Sequence, residues 1–347
     1  MKSDIIVGLQ YGDEGKGKVV LGLLEQNNYD VCLRFNGGPN AGHTVYHNGQ
    51  KVILHQIPCG ILYNKISIIG NGCVIDLAKL KLEIEALKSL DIDVDSLLKI
   101  SNNVHTITQK HIQEDISNDP IGSTGSGIRP VNRDKYDRKG IRIIKLKEKM
   151  TEEDNVLEGY IGKCEIIDTT EYFCKLFNTN KYVLCEGAQG FNLDIDFGHY
   201  PYVTSTHCVS GFINSSGIPI STVVNVYGIC KIYETYVGKM EFEDKTEESF
   251  QKLRELGDEK GSTTGRDRQI NWLDLHRLNQ AIIINSVNKL IVNKCDIMEQ
   301  LGDFTLKENK KIVSLGDLEK MKRHIVLYLR NVLDEDDIIF SGNKDRI

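Results

Sequence analysis

Between a β-branched run, Asp4–Gln10, and a helical pattern, Val19–Glu25, lies Gly12-Asp13-Glu14-Gly15-Lys16-Gly17-Lys18. Tyr29–Asn36 reads as the next strand, so the chain opens as β-loop-α-β, the unit that builds parallel sheets. Gly12-x4-Gly17-Lys18 fits the G-x-x-x-x-G-K loop whose backbone amides cradle phosphates. Loop amides, two lysines and a helix N-terminus converge on one place, which makes an anion site. Position 19 is Val19, where a Ser or Thr hydroxyl would reach Mg²⁺. A metal here needs another ligand, and Asp13 offers a carboxylate. The plain alternative is a structural glycine turn, which leaves Lys16 and Lys18 unexplained.

The same alternation continues. Ile66–Gly70, Tyr182–Glu186, Leu290–Asn293 and Ile338–Phe340 read as strands, and Ser221–Tyr236 as a long β-rich stretch. Helical spacing marks Val74–Leu90, Trp272–Asn288 and Asp317–Leu333. His47-Asn48-Gly49-Gln50 predicts a hairpin turn. The expected fold is α/β, a mostly parallel sheet with helices on both faces. The mixed-charge stretches Lys145–Glu153 and Glu241–Lys260 read as solvated loops and helix faces.

A length of 347 residues gives two domains as an arithmetic prior. The 43 Lys and Arg against 49 Asp and Glu leave a net charge of −6, which disfavours nucleic acid or a membrane surface as a partner. Bound phosphates must then be held by local groups. Nine cysteines with no C-x-x-C pair imply reduced thiols in a cytoplasmic protein, not a disulfide frame. The start has no leader-like apolar region, and no apolar run reaches the roughly 18–20 residues of a membrane span.

Five further motifs carry chemistry. Asn36-Gly37-Gly38-Pro39-Asn40-Ala41-Gly42-His43 follows the second strand and faces the same crevice as the phosphate loop. His43 and His47 are four apart, but the β-like residues between them argue against a zinc pair. Gly122-Ser123-Thr124-Gly125-Ser126-Gly127 has Arg129, Arg133 and Arg138 after it, and reads as a second phosphate site or a flexible linker. Glu186-Gly187-Ala188-Gln189-Gly190 presents a glutamine from a strand end, and its amide can donate and accept at a purine edge. Thr204 lies in the segment that follows. Ser262-Thr263-Thr264-Gly265-Arg266-Asp267-Arg268 suits a small dicarboxylate, since guanidinium pairs bidentately with carboxylate. Its alternative is a surface loop with a salt bridge through Asp267. Asn293-Lys294-Cys295-Asp296 follows a buried strand, where Asp296 can accept hydrogen bonds from the N1–H and 2-amino groups of guanine. Together the motifs suggest two phosphorylated ligands and an acid, hence a nucleotide-driven ligase.

With six motifs in this order the chain resembles the adenylosuccinate synthetases, from Gly8 to the Ser341-Gly342 tail. The resemblance implies one α/β domain over 1–347, distantly like the phosphate-loop NTPases, with β-rich and helical insertions. It also implies a ligase joining L-aspartate to IMP with GTP and Mg²⁺. Asp13 matches the base and, with the Gly42 carbonyl, a Mg²⁺ ligand; His43 matches the acid. Gly12, Gly15, Lys16, Gly17 and Lys18 match the triphosphate site, and Lys294, Asp296, Ser341 and Gly342 the guanosine pocket. Asn40, Thr124, Gln189, Thr204 and Arg266 match ligands of the purine monophosphate. Arg138 matches an arginine donated across a homodimer interface. Thr263, Thr264, Arg266 and Arg268 match the aspartate loop.

The chain departs from the longer family members in three ways. It is shorter, Ser126 replaces an arginine, and Arg129 replaces a glycine. A phage branch of the family joins aspartate to deoxyguanylate, with ATP or GTP as donor. The intact Asp13-Glu14 favours IMP. A GTPase switch is the reading from another class, and Val19 and the 262–268 loop count against it.

Overall fold

The computed structural model describes residues 1–47, 49–148, 158–261 and 265–342. Nine strands form the central sheet: β1 (Lys2–Gly8), β2 (Val31–Arg34), β3 (Ile66–Ile69), β4 (Leu98–Ser101), β5 (Glu165–Ile167), β6 (Tyr182–Glu186), β7 (Val223–Lys231), β8 (Lys289–Asn293) and β9 (Ile338–Phe340). Their order across the sheet is β9-β8-β7-β1-β6-β2-β3-β4-β5. Every neighbouring pair is parallel. The main helices are α1 (Lys16–Gln26), α2 (Leu77–Lys88), α3 (Gln109–Ser117), α4 (Ile128–Tyr136), α5 (Thr169–Leu176), α6 (Glu248–Leu256), α7 (Leu275–Asn285), α8 (Cys295–Leu301) and α9 (Leu318–Leu329).

Period-two packing explains the two helical layers. Ile5, Val7, Leu33, Val183, Cys185, Leu290 and Val292 point to one face, where α6, α7 and α9 cover them with Phe250, Leu278 and Ile325. Ile6, Cys32, Leu184 and Ile291 point to the other face, under Val20 and Leu24 of α1 and Leu80 and Ile84 of α2. Each fully buried aliphatic side chain contributes roughly 1.5–3 kcal/mol.

Helix starts are set by caps rather than by apolar spacing alone. Asp76 accepts from the amides of Ala78 and Lys79, so α2 begins at Leu77 while Val74–Ile75 pair as a short strand with His105–Thr106. Asp274 caps α7, so Trp272 ends the strand Gln269–Trp272 instead of opening a helix. Asp317 is itself the cap of α9. The hairpin His43–His47 with Gln50–Leu54 forms as expected, although Asn48 lies outside the described residues. Strands β4 and β5 and the hairpin Phe304–Glu308 with Lys311–Leu315 carry no strong sequence signal.

The solvated reading of Glu241–Lys260 holds for most of its span and fails at the core face of its helix and at Glu259. Phe250 and Leu253 pack into the core, and Glu259 is completely buried. Period 3.6 hid the apolar face among charges, and a lone acidic residue gave no hint that cations would surround it. Residues 149–153 of the other mixed-charge stretch lie outside the described residues. Eight of the nine cysteines are buried and Cys174 is exposed; all nine are free thiols. Among the described residues no helix is long and apolar enough to cross a membrane.

Candidate active site

A cavity of about 270 Å³ opens at the carboxyl ends of β1, β2 and β6, where loops of a parallel sheet converge. Its wall combines Gly12, Asp13, Gly15, Lys16 and Gly17 with Asn40, Gly42 and His43, then Thr124, Gln189 and Arg268. Five sequence motifs therefore meet in one space.

Gly15 sits at φ 89 just before α1, and α1 has no side-chain cap. Its first amides are left to an anion. Lys16 is buried; its Nζ donates to Glu14 Oε2 at 2.6 Å and to the Gln189 carbonyl at 2.6 Å. Glu14 also accepts from the amides of Gln10 and Gly12, so this carboxylate braces the loop from beneath. Asp13 is partly exposed, and its Oδ2 lies 3.0 Å from Arg268 Nη2.

Gln189 has φ 57, which turns its carbonyl toward Lys16. Its side chain lies over Gly37, where a Cβ would stand 3.2 Å from Oε1 and 2.6 Å from Ala188 Cβ. Gln189 Oε1 is buried with no hydrogen-bond partner among the described residues, an acceptor open to a ligand N–H.

His43 is buried beside Glu186 (Nδ1 to Oε1, 3.5 Å) and Arg34 (Nε2 to Nη2, 3.4 Å). Burial and the Arg34 charge push it down to about 4, so the imidazole is neutral at pH 7. His43, Cys59 and Glu186 could surround a metal ion by distance. Their chemistry does not suit one: Arg34 already holds Glu186 at 3.0 Å, and burial keeps the Cys59 thiol protonated.

The residues expected to hold guanosine gather beside this cavity. Lys18 Nζ donates to Ser341 Oγ at 3.0 Å, and the Cys295 amide to the Ser341 carbonyl at 3.2 Å. Gly342 lies against Asp296, and Lys294, at φ 67, donates to the Gly257 carbonyl. Asn293 Nδ2 donates to the Glu14 carbonyl at 2.7 Å, tying this cluster to the phosphate loop.

Other expected residues stand outside the cavity wall. Thr204 is tied to it through its backbone N–H, which donates to the carbonyl of the lining residue Leu193 at 2.8 Å. Arg266 is exposed and donates to the carbonyls of Gly122 and Ser123. Arg138 is exposed just beyond α4. Thr263 and Thr264 lie outside the described residues.

The 122–127 segment is a built loop, not a linker. Asp119 accepts from the amides of Gly122 and Ser123, and Asp115 from Ser123 Oγ and the Gly127 amide. Thr124 Oγ1 donates to the buried Ser126. Arg129 closes the end of α3 through the Asn118 carbonyl and pairs with Asp115, which accounts for it structurally. Arg268 pairs with Asp13 and Glu259, so the bridge through Asp267 is not its role. Sequence reasoning missed Glu14, Arg34, Glu186 as a charge, Lys231 and Glu259.

Comparison with known proteins agrees with this geometry. The family model for adenylosuccinate synthetase matches residues 5–161 and 155–309. The adenylosuccinate synthetase of Phocaeicola vulgatus is 40% identical over 86% of this chain and 79% of its own. That of Flavobacterium psychrophilum is 38% identical over 88% and 81%. The structure of fully ligated adenylosuccinate synthetase from Plasmodium falciparum superposes with TM-score 0.86 at 29% identity, covering 99% of this chain and 98% of that one. The cyanophage S-2L succinoaminodeoxyadenylate synthetase, bound to dGMP and dATP, shares the fold at TM-score 0.75 and 22% identity, over 99% and 93% of the two chains. On its sequence, its sheet and its gathered motifs, the chain belongs to the adenylosuccinate synthetase family.

Proposed function

We propose that this protein joins L-aspartate to C6 of IMP at the expense of GTP, forming adenylosuccinate, GDP and phosphate in purine nucleotide biosynthesis. The observation that carries the reading is the single cavity shared by Asp13, Lys16, His43, Gln189 and Arg268. Asp13 takes the N1 proton of the purine. This puts negative charge on O6, which attacks the γ-phosphorus and releases GDP. Gln189 Oε1 and its amide hold the purine edge. The α1 amides and Lys16 hold the phosphates. Neutral His43 offers an N–H to an oxygen of the group in transfer. Asp13 and the Gly42 carbonyl are hard oxygen donors that suit Mg²⁺, which neutralises phosphate charge when bound. Aspartate, held by Arg268 with Arg266, Thr263 and Thr264, then displaces phosphate from C6 through its amine.

Asn40, Thr124 and Thr204 bind the purine 5′-phosphate in this reading. Lys18, Lys294, Asp296, Ser341 and Gly342 form the guanosine pocket, supported by the contacts of Lys18 with Ser341 and of Gly342 with Asp296. One domain spans 1–347, because strands from Lys2 to Phe340 share one sheet. A homodimer, in which Arg138 serves the neighbouring site, fits its exposure outside the cavity. Nine free thiols suit a cytoplasmic location.

The test offers the purified protein aspartate, Mg²⁺, GTP or ATP, and IMP or dGMP, following product by absorbance and mass. Adenylosuccinate formed with IMP and GTP is the expected result. Preference for dGMP or ATP would reassign the substrate. No nucleotide-dependent loss of aspartate with any pair would refute the ligase reading.

A further inference from the structure

Glu259 is fully buried in the loop that leads to the aspartate segment. Both its oxygens accept from Lys231 Nζ, at 3.0 and 2.9 Å, and Oε1 accepts from the Tyr233 hydroxyl at 2.6 Å. Oε2 also accepts from Arg268 Nη1, while the Glu259 carbonyl takes the Arg268 amide at 2.9 Å. Of these partners only Arg268 lines the cavity. Arg268 is thus held from behind at two points, with Nη2 left to Asp13. Nε lies on the same guanidinium edge as Nη2; it is buried and has no acceptor among the described residues. That edge is half used, and a carboxylate fills such an edge bidentately.

We infer that Glu259 is a positioning residue for the aspartate subsite, fixing the Arg268 guanidinium so that its Nε–Nη2 edge meets the substrate carboxylate. Lys231 balances the Glu259 charge and keeps the carboxylate from drawing Arg268 out of the wall. The inference rests on the aspartate-ligase reading above. A merely structural carboxylate would alter every kinetic constant or none; one that acts through Arg268 alters the constant for aspartate.

The experiment compares wild type and Glu259→Gln with IMP, GTP and aspartate varied in turn. KM for aspartate should rise at least tenfold, with KM for IMP and GTP within twofold. In an Arg268→Gln background, Glu259→Gln should change KM for aspartate less than twofold further. An unchanged KM for aspartate, or effects that multiply fully, overturns the inference. If Glu259→Gln does not melt cooperatively, Tyr233→Phe replaces it; a threefold rise confined to aspartate supports the inference and no rise overturns it. Absence of turnover in the wild type strikes the ligase reading itself and this inference with it.

Discussion

Glu186 sits at the end of β6, completely buried, between Arg34 Nη1 at 3.0 Å, the Cys59 amide at 3.0 Å and His43. Burial alone would raise its pKa. The His43 hydrogen bond and the charges around it outweigh burial and hold the carboxyl down to about 2, from an ordinary 4.5. At neutral pH His43 is uncharged, so Arg34 is the cation that matters. The lowered carboxyl is a stability statement: the folded state holds Glu186 ionised against Arg34. Removing one partner of a buried pair costs roughly 3–5 kcal/mol, and the low end applies because Gln keeps the shape of Glu. Glu186→Gln should therefore cost about 3 kcal/mol at pH 7. Whichever way its amide turned, the NH2 would also meet a donor, the Arg34 guanidinium or the Cys59 amide.

Linkage fixes the pH window. A depressed carboxylate contributes its stability above about pH 4.5 and loses it as pH falls toward 2. The gap between wild type and variant should be full at pH 7 and narrow below pH ~4.5. Urea denaturation at several pH values measures the gap, and kcat at pH 7 should fall at least about a hundredfold, the scale of a lost acid–base group. A variant within about 0.5 kcal/mol of wild type at pH 7, or a gap that ignores pH, would refute the reasoning.

Asp13→Asn should abolish turnover while nucleotide binding by calorimetry stays measurable; near-normal turnover removes Asp13 from the base role. Asp296→Asn should raise KM for GTP about tenfold to a hundredfold, from the loss of two charge-assisted hydrogen bonds to guanine. An unaltered GTP preference over ATP in competition would remove Asp296 from the pocket. Gly190→Ala places a Cβ 2.5 Å from the Gln10 carbonyl and 2.8 Å from the Gly12 amide, and against Glu14 Oε1. Overpacking of this kind costs about 1–3 kcal/mol and shifts the phosphate loop, so chemical denaturation and KM for GTP should both report it.

The parallel sheet was legible because its central strands are buried on both faces. Asp4–Gln10, Tyr182–Glu186 and Leu290–Asn293 read as short apolar runs, and each forms a strand within two residues of that reading. One edge strand, Ile338–Phe340, was legible at its observed bounds, and the opposite edge was not. Glu165–Ile167 has three residues, and its burial falls away at the edge of the sheet, so it leaves no alternation to detect. Helix ends at Leu77, Leu275 and Leu318 were misplaced by one to three residues because Asp76, Asp274 and Asp317 cap them. An aspartate before an apolar periodic run was the available signal.

The site divides along a physical line. Most residues proposed to touch ligands occur in glycine-rich loops, whose backbone must come close to an anion, and that demand leaves a local pattern. Residues that hold those ligand-binding side chains leave none. Glu14, Arg34, Glu186, Lys231 and Glu259 are buried charges that find their partners in the fold: Arg34 and Glu186 are 152 positions apart and Lys231 and Glu259 are 28 apart, while Glu14 pairs with Lys16 two positions on. A buried carboxylate is tolerable only when cations and N–H groups surround it, and only the folded sheet supplies them. Arg268 shows the consequence. Its motif reads as a carboxylate clamp, yet its direction is set by Glu259, a residue that the same sequence presents as one more surface acid. Catalytic identity is thus written locally and catalytic geometry is written by topology, so substitutions in the second set should alter affinities and rates while every recognisable motif stays intact.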